Sequence, residues 1–166
     1  TSYIPTSGST VTRAGDSASI TGSSFDSFFS SQVGTIYAEF GKIDAGNSFI
    51  GERIVTIYPT NDTTVKYSLE GYRAEVRHQT GWDGIYFNNE TRNGGKIAMA
   101  FDDTGFSAAS LGVLQGSVNR QPYSVQSGRM YIGSADGNYQ TNACIPKIAY
   151  YPKRLPNATL QAMTEA

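Results

Sequence analysis

The chain has 166 residues, 16% of them charged, with 13 basic against 14 acidic side chains and a net charge of −1. That length is one domain's worth, enough to bury about 70% of the extended chain's surface in a single core. No run of like charges exceeds Lys153-Arg154 or Asp102-Asp103, which argues against nucleic acid or an anionic membrane as partner. No apolar run reaches the roughly 18 residues of a membrane span, so membrane insertion is not expected.

Eighteen glycines, 11 tyrosines and 8 phenylalanines describe many short strands and turns. Residues 1–24 mix Ser, Thr and Gly around two short β-prone segments, 10–13 and 17–21. Phe25, Phe28 and Phe29 follow at helical spacing, which predicts a short turn or helix that pins aromatic rings onto the core. From Gly34 the alternation is clean. Ile36, Ala38 and Phe40 share one face and Thr35, Tyr37 and Glu39 the other, the pattern of a half-buried strand. A strand over 49–58 ends at Pro59. Val65, Tyr67 and Leu69, then Tyr72, Ala74, Val76 and His78, alternate with polar residues, as two strands or as one broken by a bulge at Gly71.

Thr80-Gly-Trp-Asp-Gly84 has turn composition, followed by a short strand at 85–87 and a second polar turn at 88–95. Ile97, Met99 and Phe101 face inward from the next strand, and Asp102-Asp-Thr-Gly105 turns the chain into a strand at 106–111. Residues 112–128 show little pattern beyond a strand fragment at 113–115; 129–133 is a strand and 134–141 a polar turn. Pro146 and Pro152 bracket a strand at 147–151, because neither proline can donate to a ladder. After Pro152 the period changes, and Leu155, Ala158, Thr159 and Ala162 recur at helical spacing, so the chain closes on a helix. About ten to twelve strands in this arrangement predict an all-β, two-sheet antiparallel sandwich.

Four stretches carry a resemblance. The closing K-I-A-Y-Y-P-K-R-L-P-N-A-T-L-Q-A-M-T, the opening T-S-Y-I-P-T-S-G-S-T-V-T-R-A-G-D-S-A-S-I-T-G and G-T-I-Y-A-E-F at 34–40, with K-I-A-M-A-F at 96–101, resemble a module of bacteriophage tail fibre and tailspike proteins. The resemblance implies a laminin-G-like, concanavalin A-like jelly roll over 1–166, expected to be one domain of a longer virion protein. It also implies a phage-tail location outside the host after synthesis in bacterial cytoplasm, a homotrimeric parent fibre, and a bacterial surface polysaccharide or oligosaccharide as partner. In such a protein the N-x-T triplets at Asn61, Asn89 and Asn157 are inert. The chain departs from the module's helix-capping pattern at Pro156 and Thr159, where Ser and Glu are usual; Pro156 still suits the first helical turn.

The concanavalin A-like group includes glycosidases, which need two carboxyls about 5–5.5 Å apart. On one strand that means acids two positions apart. Glu39, Asp44, Glu52, Glu70, Glu75, Asp83 and Glu90 never stand at Glu-x-Asp-x-Glu spacing, so no enzyme is expected. His78, the only histidine, alternates with Ala74 and Val76 on an apolar face as a structural residue. Cys144, the only cysteine, is expected as a small buried hydrophobe. Asp102, Asp103, Asp136 and Asn138 are hard oxygen donors on turns that suit Ca²⁺ at a loop rim, and equally are good turn formers. Sugars offer apolar CH faces and hydroxyls, so a lectin site pairs aromatic faces with a few polar groups. The segment 77–92 has that make-up. Arg77, Trp82, Asp83, Tyr86 and Asn88, with Tyr139 from a second loop, are the candidate glycan contacts. Trp82 packed sideways over a sheet end is the other reading. Beside a glycan-binding module stands the alternative of a purely structural module of the virion protein.

Overall fold

A computed structural model describes residues 8, 18–43, 52–58, 66–78, 81–87, 93–119, 128–135 and 139–165. Among these, strands β1 (Ala18–Thr21), β3 (Arg53–Tyr58), β4 (Lys66–Glu70), β5 (Arg73–His78), β6 (Gly81–Tyr86) and β10 (Arg129–Ile132) form one sheet, in the order β1-β10-β3-β4-β5-β6. Strands β2 (Gly34–Phe40), β7 (Gly95–Asp102), β8 (Gly105–Ser110), β9 (Val113–Val118) and β11 (Lys147–Tyr151) form the other, in the order β11-β2-β7-β8-β9. Every pairing is antiparallel. The fold is an all-β jelly-roll sandwich with one short C-terminal helix, as the sequence pattern predicts.

The core lies between the sheets. Ile36, Phe40, Met99, Phe101 and Phe106 from one meet Ile57, Tyr67, Leu69, Val76 and Ile85 from the other. Tyr67 and Phe101 stack across the gap with centroids 4.6 Å apart. The Tyr67 hydroxyl donates to the Ser31 carbonyl at 2.8 Å, so the buried phenol keeps a partner, and burial pushes its pKa up. Helix α1 (Ser23–Asp26) seats Phe25 in this core, and Phe29 stacks on Phe25 at 4.8 Å while reaching Tyr150 at 5.2 Å. The three-phenylalanine signal therefore marks a plug of aromatic rings.

Helix α2 (Asn157–Thr164) begins after Pro156 with no side-chain cap and lies on the outside of the five-stranded sheet. Leu160 packs there on Tyr37, Ala98, Ala100 and Ala109; the small alanines let the helix approach closely. The Gly112 amide donates to the Thr164 carbonyl at 3.1 Å and ties down the helix end. This cover corrects one expectation. β2 is buried on both faces, because Tyr37 lies under α2 and the Thr35 hydroxyl is engaged by the Lys153 carbonyl and the Leu155 amide.

Three other expectations change. Trp82 stands on strand β6 and not in a turn, because cross-strand pairing of Arg77 with Trp82 overrides the turn propensity of Gly-Trp-Asp-Gly. Residues 113–118 form a whole edge strand where only a fragment is legible in the sequence. Cys144, in the segment before β11, is exposed rather than buried. Residues 44–51, 59–65, 120–127 and 136–138 lie outside the described residues.

Candidate functional site

The six-stranded sheet turns Val55, Ile57, Leu69, Ala74, Val76 and Ile85 inward. Its pairings then place polar and aromatic residues in rows on the outer face. Thr56, Ser68, Glu75 and Gly84 form one row; Arg77 and Trp82 lie beside it on one side, and Arg73 and Tyr86 on the other. Strict alternation would put Arg53 on the core side with Val55 and Ile57. A register shift between Arg53 and Val55 makes Ile54 an extra residue, so Arg53 stands opposite Glu70 on the outer face. One bulged residue thus delivers a guanidinium to the site.

Arg53, Glu70 and Glu75 are 5%, 0% and 3% exposed although they face away from the main core. Charges so far from water must be paired. Arg53 forms an ion pair with Glu70 and donates from Nη1 to the Ser68 hydroxyl at 3.3 Å. Arg73 donates from Nε to Glu70 Oε2 at 3.1 Å and forms an ion pair with Glu75. Burial pulls the Arg53 pKa down, the nearby Glu75 carboxylate opposes this, and the Arg73 charge adds to it. Among the described residues, Arg53 Nε and Thr56 Oγ1 are buried with no hydrogen-bond partner.

Aromatic rings stand above this ionic floor. The Arg73 guanidinium lies 5.1 Å from the Tyr72 ring, 4.9 Å from Trp82 and 6.0 Å from Tyr86. Trp82 runs along β6 over Gly84, which has no side chain to lift it. Arg53 lies 5.2 Å from the ring of Tyr139, and Glu70 joins the two arginines. Tyr139 has φ 54, a left-handed conformation that costs a non-glycine residue about 1 kcal/mol. Trp82, Tyr86 and Tyr139 are 49%, 55% and 56% exposed. Paired guanidinium groups beneath exposed rings hold those rings in place ahead of any ligand, which lowers the ordering cost of binding.

Of the residues singled out in the sequence, Trp82, Tyr86 and Arg77 share this face, and Tyr139 joins it through Arg53. Asp83 pairs with Val76 and so belongs to the opposite face of β6. Asn88, Asp136 and Asn138 lie outside the described residues. Asp102 and Asp103 stand at the β7–β8 turn of the other sheet. Asp102 Oδ1 accepts from the Thr104 amide at 2.9 Å, the Thr104 hydroxyl at 2.6 Å and Arg154 Nη1 at 2.6 Å. A guanidinium already supplies the positive charge at that oxygen. Among the described residues no three His, Cys, Asp or Glu side chains gather as a metal site. Sequence reasoning missed Arg53, Glu70, Tyr72, Arg73 and Glu75. The alternation Arg73-x-Glu75-x-Arg77 signalled a polar face, but nothing local signalled the bulge.

No protein-family model matches the sequence, and no curated protein matches it. Solved structures do. Domain 4 of AbnA, a GH43 extracellular arabinanase from Geobacillus stearothermophilus in complex with arabinotriose, superposes with TM-score 0.66 at 12% identity, over 84% of this chain and 70% of that one. The CBM40 of the Ruminococcus gnavus IT-sialidase, bound to α2,3-sialyllactose, gives 0.63 at 12% identity over 81% and 84%. Domains LG4-5 of the mouse laminin α1 chain give 0.59 at 10% identity over 86% and 41%. These likenesses show the fold: a two-sheet antiparallel jelly-roll sandwich.

Proposed function

We propose that this domain is a non-catalytic carbohydrate-binding module, and that its ligand is a glycan held on the outer face of the six-stranded sheet. The observation that carries the reading is the set of exposed rings, Trp82, Tyr86 and Tyr139, over the Arg53–Glu70–Arg73–Glu75 network. An aromatic face takes the apolar side of a sugar ring and the flanking polar groups take its hydroxyls. Structural neighbours crystallised with arabinotriose and with sialyllactose support the same reading. Glu70 and Glu75 do converge, on Arg73. Each is held in an ion pair, whereas a glycosidase needs one carboxyl free to donate a proton; this favours binding over hydrolysis. The resemblance of both chain ends to tail fibre and tailspike modules supports a bacterial surface polysaccharide or oligosaccharide as the target, reached from a phage virion.

The test is binding of the domain to a panel of bacterial surface polysaccharides, together with arabinotriose and sialyllactose, with and without Ca²⁺, for wild type and Trp82→Ala. The expected result is saturable binding to one glycan class, weakened at least about tenfold by Trp82→Ala with folding intact. A folded sample that binds nothing on the panel overturns the proposal. Loss of binding on chelation would show that a divalent cation is required, with Asp102, Asp103, Asp136 and Asn138 as the candidate calcium donors.

A further inference from the structure

Among the described residues of this outer face, Arg53 and Arg73 pair with Glu70 and Glu75. Arg77 is exposed, is the register partner of Trp82, and has no ion pair among the described residues. Arg53 Nε, buried without an acceptor among the described residues, adds a further free donor to the same floor.

Resting on the glycan reading above, we infer that the ligand is an acidic saccharide, whose sugar ring lies on Trp82 and whose carboxylate is held by Arg77. A planar guanidinium donates two parallel N–H bonds to a carboxylate. Charge-assisted bonds of this kind are about twice as strong as neutral ones, and their attraction at an exposed site falls with salt. The ring contact supplies the apolar part of the affinity and the guanidinium supplies the selectivity.

The experiment uses matched pairs, each a carboxylated glycan and its methyl-esterified neutral form: 3′-sialyllactose, tri-galacturonic acid and a glucuronate-containing oligosaccharide. Binding of each form is measured at about 20 mM and about 500 mM salt. The carboxylated form of one pair is expected to bind at least about tenfold tighter at low salt, with most of that margin gone at high salt. Arg77→Gln should bring the ratio of charged to neutral affinity close to one, and Arg77→Glu should invert it. Equal affinity for both forms, or a ratio that Arg77→Gln leaves intact, overturns the acidic-ligand inference while the glycan reading stands. Failure of every pair in both forms, together with failure of the wider panel, overturns both.

Discussion

The indole of Trp82 lies so close over Gly84 that a Cβ at that glycine would stand 2.9 Å from Trp82 Cζ3 and 3.4 Å from Cε3. Position 84 is on the same strand and the same face as Trp82, two residues on. The missing side chain makes room for the ring to lie flat and reach Arg73, 4.9 Å away. The aromatic platform therefore depends on a residue with no side chain.

Gly84→Ala tests that dependence. The obstacle is the far end of a movable side chain, so the domain should fold with a Tm close to wild type. The ring must lift, and its contact with Arg73 is worth about 0.5–1 kcal/mol at an exposed site. We expect an altered indole near-ultraviolet circular dichroism signal and glycan affinity lower by about two- to fivefold. An unchanged spectrum and affinity would mean that the ring does not rest on Gly84.

Glu70 joins Arg53 to Arg73 with no solvent exposure of its own. Glu70→Ala leaves two guanidinium groups short of a counter-charge in a dry setting, which costs about 3–5 kcal/mol. For a domain of this size that lowers Tm by roughly 10 °C. Replacing both partners, Arg53→Met with Glu70→Leu, should recover most of the loss while still removing the floor beneath Tyr139. Urea unfolding of the three proteins decides it, and a cost below about 1 kcal/mol for Glu70→Ala would show that water serves the pair.

Asp102 latches the β7–β8 turn to Arg154. Partial burial works to raise its pKa, but bonds from Thr104 and Arg154 outweigh that and hold it below the usual 3.8. A carboxylate depressed in the folded state adds stability that is complete above the unfolded value and is lost as pH falls through the folded one. Asp102→Asn should therefore be less stable than wild type at pH 7, by up to about 1 kcal/mol. The difference should shrink only as pH drops below about 4. A gap that closes already between pH 7 and pH 5 would point to another titrating group.

Cys144 is exposed. A thiol reagent should label it in the native protein, to completion and without a change in Tm, whereas a core thiol would react only as fast as the chain unfolds. Labelling that waits for denaturant would return Cys144 to the interior.

Elements whose cause is local were legible in advance. Pro146 and Pro152 bound β11 on both sides. The alternation of 34–40 and 96–101 marked β2 and β7, and the change of period after Pro152 marked α2. Trp82, Tyr86 and Tyr139 could be picked out as aromatics among polar residues, and all three are exposed. Their neighbours could not. Arg53, Glu70, Arg73 and Glu75 are brought together by the β3–β4 and β4–β5 pairings, and the first of those contains the bulge at Ile54.

What the sequence by itself determined is therefore the sandwich, the closing helix and most strand faces, because backbone period and proline limits act between residues close along the chain. What only the tertiary structure decided is which faces stay open and which charges meet. Tyr37 alternates onto a face that looks solvent-bound until α2 covers it, and Trp82 sits in a turn-like tetrapeptide until Arg77 pairs with it. Register between distant strands, shifted by one residue at Ile54, moves Arg53 from the core side to the binding face. A side-chain period of two makes that single residue decisive.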